Sequence, residues 1–344
     1  MKTTTGLQPS ATLAVAADPA PGAAPLVAAL SIVIPVYNSA GSLASVLAEL
    51  AGALPALAER YEVVMVDDGS RDESWRVVEG LAAEHPWVHG IRLMRNYGQH
   101  NALLCGIRAA RYPVTVTLDD DGQHPPAEIA TLLRAFNQGY DVVYGSPQQE
   151  QHGLLRDLAS QLTKLALQSA MGAQTARSVS AFRVFRTDLR EAFRTYQGPF
   201  PSIDVMLTWG TTRFTAVRVP HRARQIGTSN YTLMRLITHA INMVTGFSVV
   251  PLQLASLIGF GFTVFGFLVL TYVIGRYLIQ GSSVSGFPFL ASVIAIFSGA
   301  QLFALGIIGE YLARMHFRMM ERPTYAVRVH AVTGEARDDA DRVD

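Results

Sequence analysis

The sequence contains a single cysteine, few charged residues and almost equal numbers of basic and acidic side chains. One cysteine cannot form a disulfide within the chain, and Cys105 lies in a helical pattern, NALLCGIRAA, where we expect a buried, unreactive thiol. Charged residues make up 16% of the chain, and the formal net charge is +1. This balance argues against a nucleic-acid-binding protein and favours a globular protein of a reducing compartment.

Glycine-rich phosphate-binding loops and a secretory signal are missing as well. The first predicted strand ends in PVYNSAGSL, which fits neither the G-x-G-x-x-G nor the G-x-x-x-x-G-K-S/T pattern. A nucleotide bound here therefore needs arginines or a metal ion to balance its phosphate charge. Residues 1–30 are rich in Ala, Pro and Thr and have no sustained apolar core, which predicts a disordered leader rather than a cleaved signal peptide.

Two long apolar runs, which begin at Val249 and Phe287, stand out in the C-terminal part of the chain. Each is long enough to supply the about 20 residues that cross a bilayer, although two buried helices of a large soluble core would show the same pattern. The link between the runs carries only Arg276, whereas further arginines flank their outer ends: Arg222, Arg224, Arg235, Arg314, Arg318 and Arg322. This bias predicts a multi-pass protein of the plasma (inner) membrane with both termini in the cytoplasm.

Five apolar runs alternate with helical patterns before the first span. They are SIVIPVYN, YEVVMVDDGS, VHGIRLMRN, YPVTVTLDDD and YDVVYGS, and they predict an α/β fold with a mostly parallel sheet covered by helices on both faces. The predicted division is a disordered leader (1–30), a cytoplasmic α/β domain (31–230), an interfacial amphipathic helix (231–247), two transmembrane helices (248–313) and a cytoplasmic tail (314–344).

Polar residues follow the predicted strands, and the largest group is the aspartate run in VTVTLDDDGQHP. Ligands of open α/β sheets bind beyond the carboxyl ends of the strands. Asp119 and Asp121 alternate along an extended segment, and with Gln123 they offer oxygen ligands of the kind that Mg²⁺ or Mn²⁺ prefers. The alternative is a solvated turn in which aspartate caps the next helix.

Four motifs, PVYN, VDDGSRDES, RNYGQHNALLCGIRAA and LDDDGQHPP, resemble in order and spacing the nucleotide-sugar-binding half of glycosyltransferase family 2. The apolar hairpin, RQIGTSNYTLMRLI and GAQLFALGIIGEYLAR narrow the resemblance to polyprenyl-phosphate glycosyltransferases. It covers about Ser31 to Tyr325. It implies a GT-A fold, a metal-bound nucleoside diphosphate sugar, most simply a UDP-sugar, as donor, and undecaprenyl phosphate as acceptor.

The resemblance also implies roles for individual residues. The nucleotide sugar would contact Pro35, Tyr37, Asn38, Asp67, Asp68, Asp119, Asp120, Arg183 and Arg222. The metal ion would bind Asp119, Asp121 and Gln123. The catalytic set would be Asp121, Arg156, Ser160 and Arg224, in which Arg156 and Ser160 hold the acceptor phosphate. Four positions depart from the family pattern and leave the donor sugar and nucleotide open: Ser39, Pro147, Arg177 and Asn230.

Two other functions remain open at this point. A family 2 enzyme that acts on a hydroxyl of a lipid or glycan needs a general base, and Asp204 in FPSIDVMLTWG is the candidate. A non-catalytic membrane scaffold or transport subunit is the alternative from another class. Glu310 and Arg314, one helical turn apart, are expected to form an ion pair at the membrane boundary. The sequence leaves homo-oligomerisation open.

Overall fold

The computed structural model describes residues 24–147, 178–198, 200–222, 250–280, 287–320, 322–332 and 335–337. Its centre is a nine-stranded sheet with the strand order β7-β5-β6-β4-β1-β2-β3-β8-β9. The first five strands are β1 (Val27–Val36), β2 (Ala58–Asp67), β3 (Val88–Leu93), β4 (Val114–Thr117) and β5 (Val142–Pro147). These correspond to the five strands predicted from the apolar runs.

The middle of the sheet is parallel and its flanks are mixed. Strands β3, β2, β1 and β4 run parallel to one another. The short strand β6 (Arg183–Arg186) lies antiparallel between β4 and β5, and β7 (Phe214–Val219) pairs parallel with β5. The carboxyl ends of β1, β2, β3 and β4 therefore meet at one edge, where the polar residues of the predicted site follow the strands.

Helices cover both faces of the sheet. Against one face pack α1 (Leu43–Leu57), α2 (Ser74–Glu84) and α4 (Ile129–Phe136); against the other pack α3 (Gln99–Ala109) and α5 (Ile203–Leu207). Short 3-10 helices span Pro126–Glu128 and Thr187–Phe193. This arrangement, followed by two long apolar helices, confirms the fold class predicted from the sequence.

The alternating residues of β1 show that both faces of the sheet are covered. Ile32 and Ile34 belong to the core under α1, whereas Val33 belongs to the core under α3, and all three are fully buried. A parallel strand buried on both faces is expected to be apolar without interruption. Gly106 lets α3 approach closely, because a Cβ atom at this position would collide with the side chain of Val33.

Two long helices follow the sheet domain, α6 (Val250–Gln280) and α7 (Phe287–Met319). Within them, Pro251–Arg276 and Ile296–His316 are long and apolar enough to cross a membrane, and neither is buried inside the protein. Core helices of a soluble protein are mostly buried, so the exposure of these two helices favours the interpretation as membrane spans. The helices pack against each other through Phe297, whose ring lies 5.5 Å from that of Phe262.

The chain returns to the sheet after α7. Strand β8 (Val327–Val332) pairs antiparallel with β3, and β9 (Glu335–Arg337) pairs with β8. These strands lie in the region predicted to be a cytoplasmic tail, where no strand was expected. Because β8 follows the second apolar helix and joins the same sheet, both outer ends of the helix pair are tied to one domain.

Candidate active site

The turn after β2 anchors the polar edge of the sheet. The backbone N–H of Asp68 donates to the carbonyl oxygen of Val36 at 2.9 Å, which joins the ends of β1 and β2. Gly69 has a φ of 68°, and a Cβ atom here would lie 2.5 Å from the carbonyl carbon of Arg95. Only glycine fits both the backbone conformation and the close approach. The turn is thereby held against the segment that follows β3.

Asp68 organises the loop between β3 and α3. Its buried carboxylate accepts hydrogen bonds from the backbone N–H groups of Tyr97 at 2.7 Å and Gly98 at 2.8 Å. Burial raises the pKa of the Asp68 carboxyl to about 6, although both hydrogen bonds act to lower it. This places Asp68 in the framework under the predicted nucleotide site rather than on its surface.

Asp67 and Tyr37, at the ends of β2 and β1, lie in different environments. Asp67 is fully buried, its Oδ1 accepts from the backbone N–H of Ser70 at 3.2 Å, and Arg92 lies 3.3 Å from its Oδ2. That Oδ2 atom has no hydrogen-bond partner among the described residues. Tyr37 follows β1 directly and is 43% exposed, so its ring offers a flat surface to a base. Pro35 is buried in β1 beneath this point.

Asn38 shapes the same edge through its own loop. It is a non-glycine residue with a positive φ of 52°, a conformation that asparagine tolerates better than most residues. Its Oδ1 accepts from the backbone N–H of Arg71 at 2.9 Å, and its backbone N–H donates to Ser70 Oγ at 3.0 Å. The Asn38 side chain therefore connects the β1 and β2 loops.

The three aspartates after β4 accept hydrogen bonds from three different parts of the site. Asp119 Oδ1 accepts from Gln99 Nε2 at 2.7 Å, which links the cluster to the start of α3. Asp120 Oδ2 accepts from the backbone N–H of Tyr37 at 3.1 Å, and burial raises the pKa of the Asp120 carboxyl. Asp121 Oδ1 accepts from the backbone N–H of Gln123 at 3.1 Å. The run is thus an organised turn in which Asp120 supports the β1 loop.

The donor set of this turn fits a hard divalent cation. Asp119, Asp121 and Gln123 are half-buried oxygen-bearing side chains on one short turn. In the described part of the chain no three His, Cys, Asp or Glu side chains gather around a common point. Mg²⁺ commonly takes one or two carboxylates from the protein and completes its shell with substrate phosphates and water. Two carboxylates and one amide oxygen are compatible with that kind of site.

Residues 221–222 contact the aspartate turn. The backbone N–H of Arg222 donates to the carbonyl oxygen of Gln123 at 3.0 Å, and its guanidinium pairs with Glu49 of α1 at 2.8 Å. The ring of His221 packs edge-on against His124 at 4.6 Å between centroids. Burial lowers the pKa of His124 to about 3. Arg222, which was expected to contact the nucleotide sugar, is directed towards α1 in this structure.

A buried polar network lies below the aspartate turn. Arg183 is 1% exposed, forms an ion pair with Asp204, and its Nε donates to Thr117 Oγ1 at 3.0 Å. Tyr144 Oη donates to Asp204 Oδ1 at 3.2 Å, and burial raises the pKa of the tyrosine. Arg183, which was expected to face a phosphate, is enclosed in the core because Asp204 balances its charge there.

Several predicted features lie outside the part of the chain that the structure describes. Arg156, Ser160 and Arg224, which were expected to hold the acceptor phosphate, lie outside the described residues, as does the predicted interfacial helix 231–247. The structure also adds Gln99, which was not among the predicted site residues. The motif RNYGQHNALLCGIRAA contains it, so the signal was present, but its contact with Asp119 depends on the packing of α3.

Comparison with known proteins supplies the family. The sequence profile of glycosyl transferase family 2 matches residues 31–193. An undecaprenyl-phosphate 4-deoxy-4-formamido-L-arabinose transferase of Shewanella sediminis is 36% identical over 90% of this chain and 95% of its own length. The protein of the same name from Pseudomonas syringae is 36% identical over 87% of this chain and 89% of its own length. The chain belongs to glycosyl transferase family 2.

Solved structures that superpose on this glycosyltransferase are more distant. Glucosyl-3-phosphoglycerate synthase of Mycobacterium tuberculosis, in complex with Mn²⁺, uridine-diphosphate-glucose and phosphoglyceric acid, has a TM-score of 0.47 and 18% identity. That superposition covers 63% of this chain and 78% of the synthase. Mannosyl-3-phosphoglycerate synthase of Rubrobacter xylanophilus has a TM-score of 0.46 and 17% identity, and covers 63% of this chain and 73% of its own.

Proposed function

We propose that this glycosyltransferase moves a sugar from a UDP-sugar to undecaprenyl phosphate at the cytoplasmic face of the plasma membrane. The two relatives that it resembles over most of their length carry undecaprenyl phosphate in their names. The two long apolar helices and the return of β8 to the sheet support a domain held at a membrane surface. A lipid-linked acceptor fits that arrangement.

The donor binds at the edge formed by the ends of β1, β2 and β4. The base packs against the exposed ring of Tyr37, next to the end of β2, where the buried carboxylate of Asp67 pairs with Arg92. Asp119, Asp121 and Gln123 hold Mg²⁺ or Mn²⁺ beside the diphosphate. When bound, the ion supplies positive charge that stabilises the departing nucleoside diphosphate. The protein keeps this turn in place through Gln99 and Asp120.

The ion pair of Asp204 favours a phosphate acceptor over a hydroxyl acceptor, and this observation carries the proposal. A hydroxyl needs a general base, but the Asp204 carboxylate is buried and occupied by Arg183 and Tyr144. A phosphate monoester has a second pKa of about 6 and is already an anion near neutral pH. Its oxygen therefore needs only alignment with the anomeric carbon. A single displacement inverts that centre, so an α-linked donor gives a β-linked product.

The direct test is transfer by the purified full-length protein in liposomes. A panel of UDP-sugars and GDP-sugars is incubated with undecaprenyl phosphate and Mg²⁺ or Mn²⁺, and the lipid products are identified by mass spectrometry. We expect one nucleotide sugar to give a new undecaprenyl phosphate sugar, and the Asp121→Asn variant to give none. Transfer only to a hydroxyl-bearing lipid would overturn the acceptor assignment, and binding of a nucleotide sugar without any transfer would favour a scaffold.

A further inference from the structure

A small group of aromatic side chains lies on the surface of the sheet domain close to α7. Phe200 is 51% exposed and Trp209 is 47% exposed. Tyr196, which is half-buried, connects them: its ring lies 6.0 Å from the ring of Trp209, and its Oη donates to the carbonyl oxygen of Phe200 at 3.2 Å. We call Tyr196, Phe200 and Trp209 the aromatic face. A contiguous group of exposed aromatic rings is typical of a surface that contacts a protein, a membrane or a ligand.

The end of the second apolar helix fixes the position of the aromatic face. The guanidinium of Arg314 lies 5.9 Å from the centre of the Phe200 ring. Arg314 is in the last turn of the apolar segment Ile296–His316 and pairs with Glu310 at 2.7 Å, as expected for the boundary of a span. Phe200 therefore lies beside the end of the apolar segment of α7. Trp and Tyr side chains are enriched at this level of membrane proteins.

One arginine joins the aromatic face to the chain that returns from α7. Arg108 of α3 donates to the carbonyl oxygens of Arg194 at 3.1 Å and Tyr196 at 2.8 Å. The same guanidinium donates to Thr324 Oγ1 at 3.4 Å and lies 5.7 Å from the Tyr325 ring centre. The segment that carries the face and the segment that follows the helix are thus held together on the side of α3.

A chain of contacts through the start of α3 connects the aromatic face to the aspartate turn. Gln99 contacts Asp119 at 2.7 Å, and the next residue, His100, accepts a hydrogen bond through Nδ1 from the backbone N–H of Ile203 at 3.5 Å. Ile203 is three residues after Phe200 in the sequence. The start of α3 therefore spans the distance between the site that binds the donor and the aromatic face.

We propose that the aromatic face is a membrane-docking surface whose partner is the interfacial layer of the bilayer, where lipid headgroups meet acyl chains. The inference rests on the membrane attachment proposed above. Phe200 and Trp209 enter this layer beside α7 and set the height of the sheet domain. At that height the phosphate of a lipid acceptor reaches the edge that carries Asp119 by moving sideways in the bilayer. The face is continuous with α7, which distinguishes the bilayer from a second copy of the chain as the partner.

Tryptophan fluorescence of the full-length protein in liposomes tests the position of the face without any need for activity. The chain has three tryptophans, and Trp209 is the exposed one, whereas Trp75 is buried in α2 and Trp87 is half-buried ahead of β3. We expect lipids brominated near the headgroup end of their acyl chains to quench wild-type fluorescence. The conservative variant Trp209→Phe should lose most of that quenching. Equal quenching of wild type and variant would overturn the inference.

The alternative partner, a second copy, has its own signature in the same assay. Trp209 covered by another protein chain would be shielded from brominated lipid, and its emission would change when the protein is diluted into more lipid. Either result contradicts the proposal. Flotation of the liposomes controls for attachment: protein that does not float with lipid would refute the membrane attachment itself, whereas protein that floats without quenching of Trp209 would refute only the docking surface.

Kinetics test the consequence for the acceptor. Phe200→Ser should raise KM for undecaprenyl phosphate in liposomes by about tenfold, because the bilayer no longer holds the domain at the right height. KM for the nucleotide sugar and the rate with a short, water-soluble polyprenyl phosphate should stay unchanged. Tyr140→Ser is the matched control, since Tyr140 is an exposed aromatic residue ahead of β5, away from the aspartate edge. An equal effect of both variants, or no effect of Phe200→Ser in an active protein, would overturn the inference.

Discussion

Breaking the buried ion pair between Arg183 and Asp204 should cost stability rather than chemistry. Arg183 is 1% exposed and Asp204 is 8% exposed, so neither charge has water as an alternative partner. In Asp204→Asn the guanidinium keeps its hydrogen bond to Thr117 Oγ1 and can still donate to the new amide oxygen. It loses the negative charge that balances it in the core.

The expected loss of stability depends on the hydrogen bonds that Arg183 keeps. Removing one partner of a buried ion pair costs about 3–5 kcal/mol in the free energy of unfolding, and we expect the lower end for Asp204→Asn. One kcal/mol shifts Tm by about 2–4 °C in domains of this size, so Tm should fall by about 6–12 °C. The Tm of Asp204→Leu should fall further. The double variant Arg183→Met/Asp204→Leu should recover most of the loss, because no unbalanced charge remains.

Thermal melts and steady-state kinetics on the same preparations check this reasoning. For Asp204→Asn assayed below its Tm, kcat should stay within about tenfold of wild type, because a phosphate acceptor gives no proton to Asp204. An unchanged Tm with a loss of kcat above about a hundredfold and of the acidic limb of the pH profile would refute the structural role. That result would identify Asp204 as a general base and the acceptor as a hydroxyl.

Four further outcomes are expected. Asp121→Asn should abolish transfer with little change in Tm, since the amide oxygen can still accept from the backbone N–H of Gln123 while the negative charge for the metal ion is lost; retained turnover would refute the metal assignment. Arg156→Ala should raise KM for undecaprenyl phosphate and leave donor affinity in calorimetry unchanged, whereas weakened donor binding would move Arg156 to the donor side. Burial raises the pKa of the Asp68 carboxyl from 3.8 to about 6. Its contribution to stability is therefore fully present below the unfolded-state pKa of 3.8 and is lost as the pH rises through 6. Urea midpoints should therefore fall less over this range in Asp68→Asn than in wild type; equal slopes would contradict the shift. Cys105, buried with a pKa raised to about 12, should resist alkylation in the folded protein and react in urea; rapid native labelling would contradict its burial.

The sequence by itself determined the elements whose pattern is local. Apolar runs such as those of β1 and β4 are recognisable because a strand buried on both faces is apolar along its whole length. The two long apolar helices are recognisable because each continuous apolar run reaches the about 20 residues that a membrane span needs. The grouping of the candidate site residues followed as well, because polar residues such as Asp119 come directly after buried strands, and the carboxyl ends of parallel strands meet at one edge.

Only the tertiary structure decided which partners those residues have. Strand β6 is four residues long with an arginine at each end, a pattern that looks like an exposed turn until β4 and β5 enclose it. Arg183 is buried there because Asp204, 21 residues later, supplies the opposite charge. Strand β8 likewise forms by pairing with β3 from the far end of the chain. Periodicity depends on neighbours in the sequence, whereas ion pairs and strand pairing depend on residues that only folding brings together.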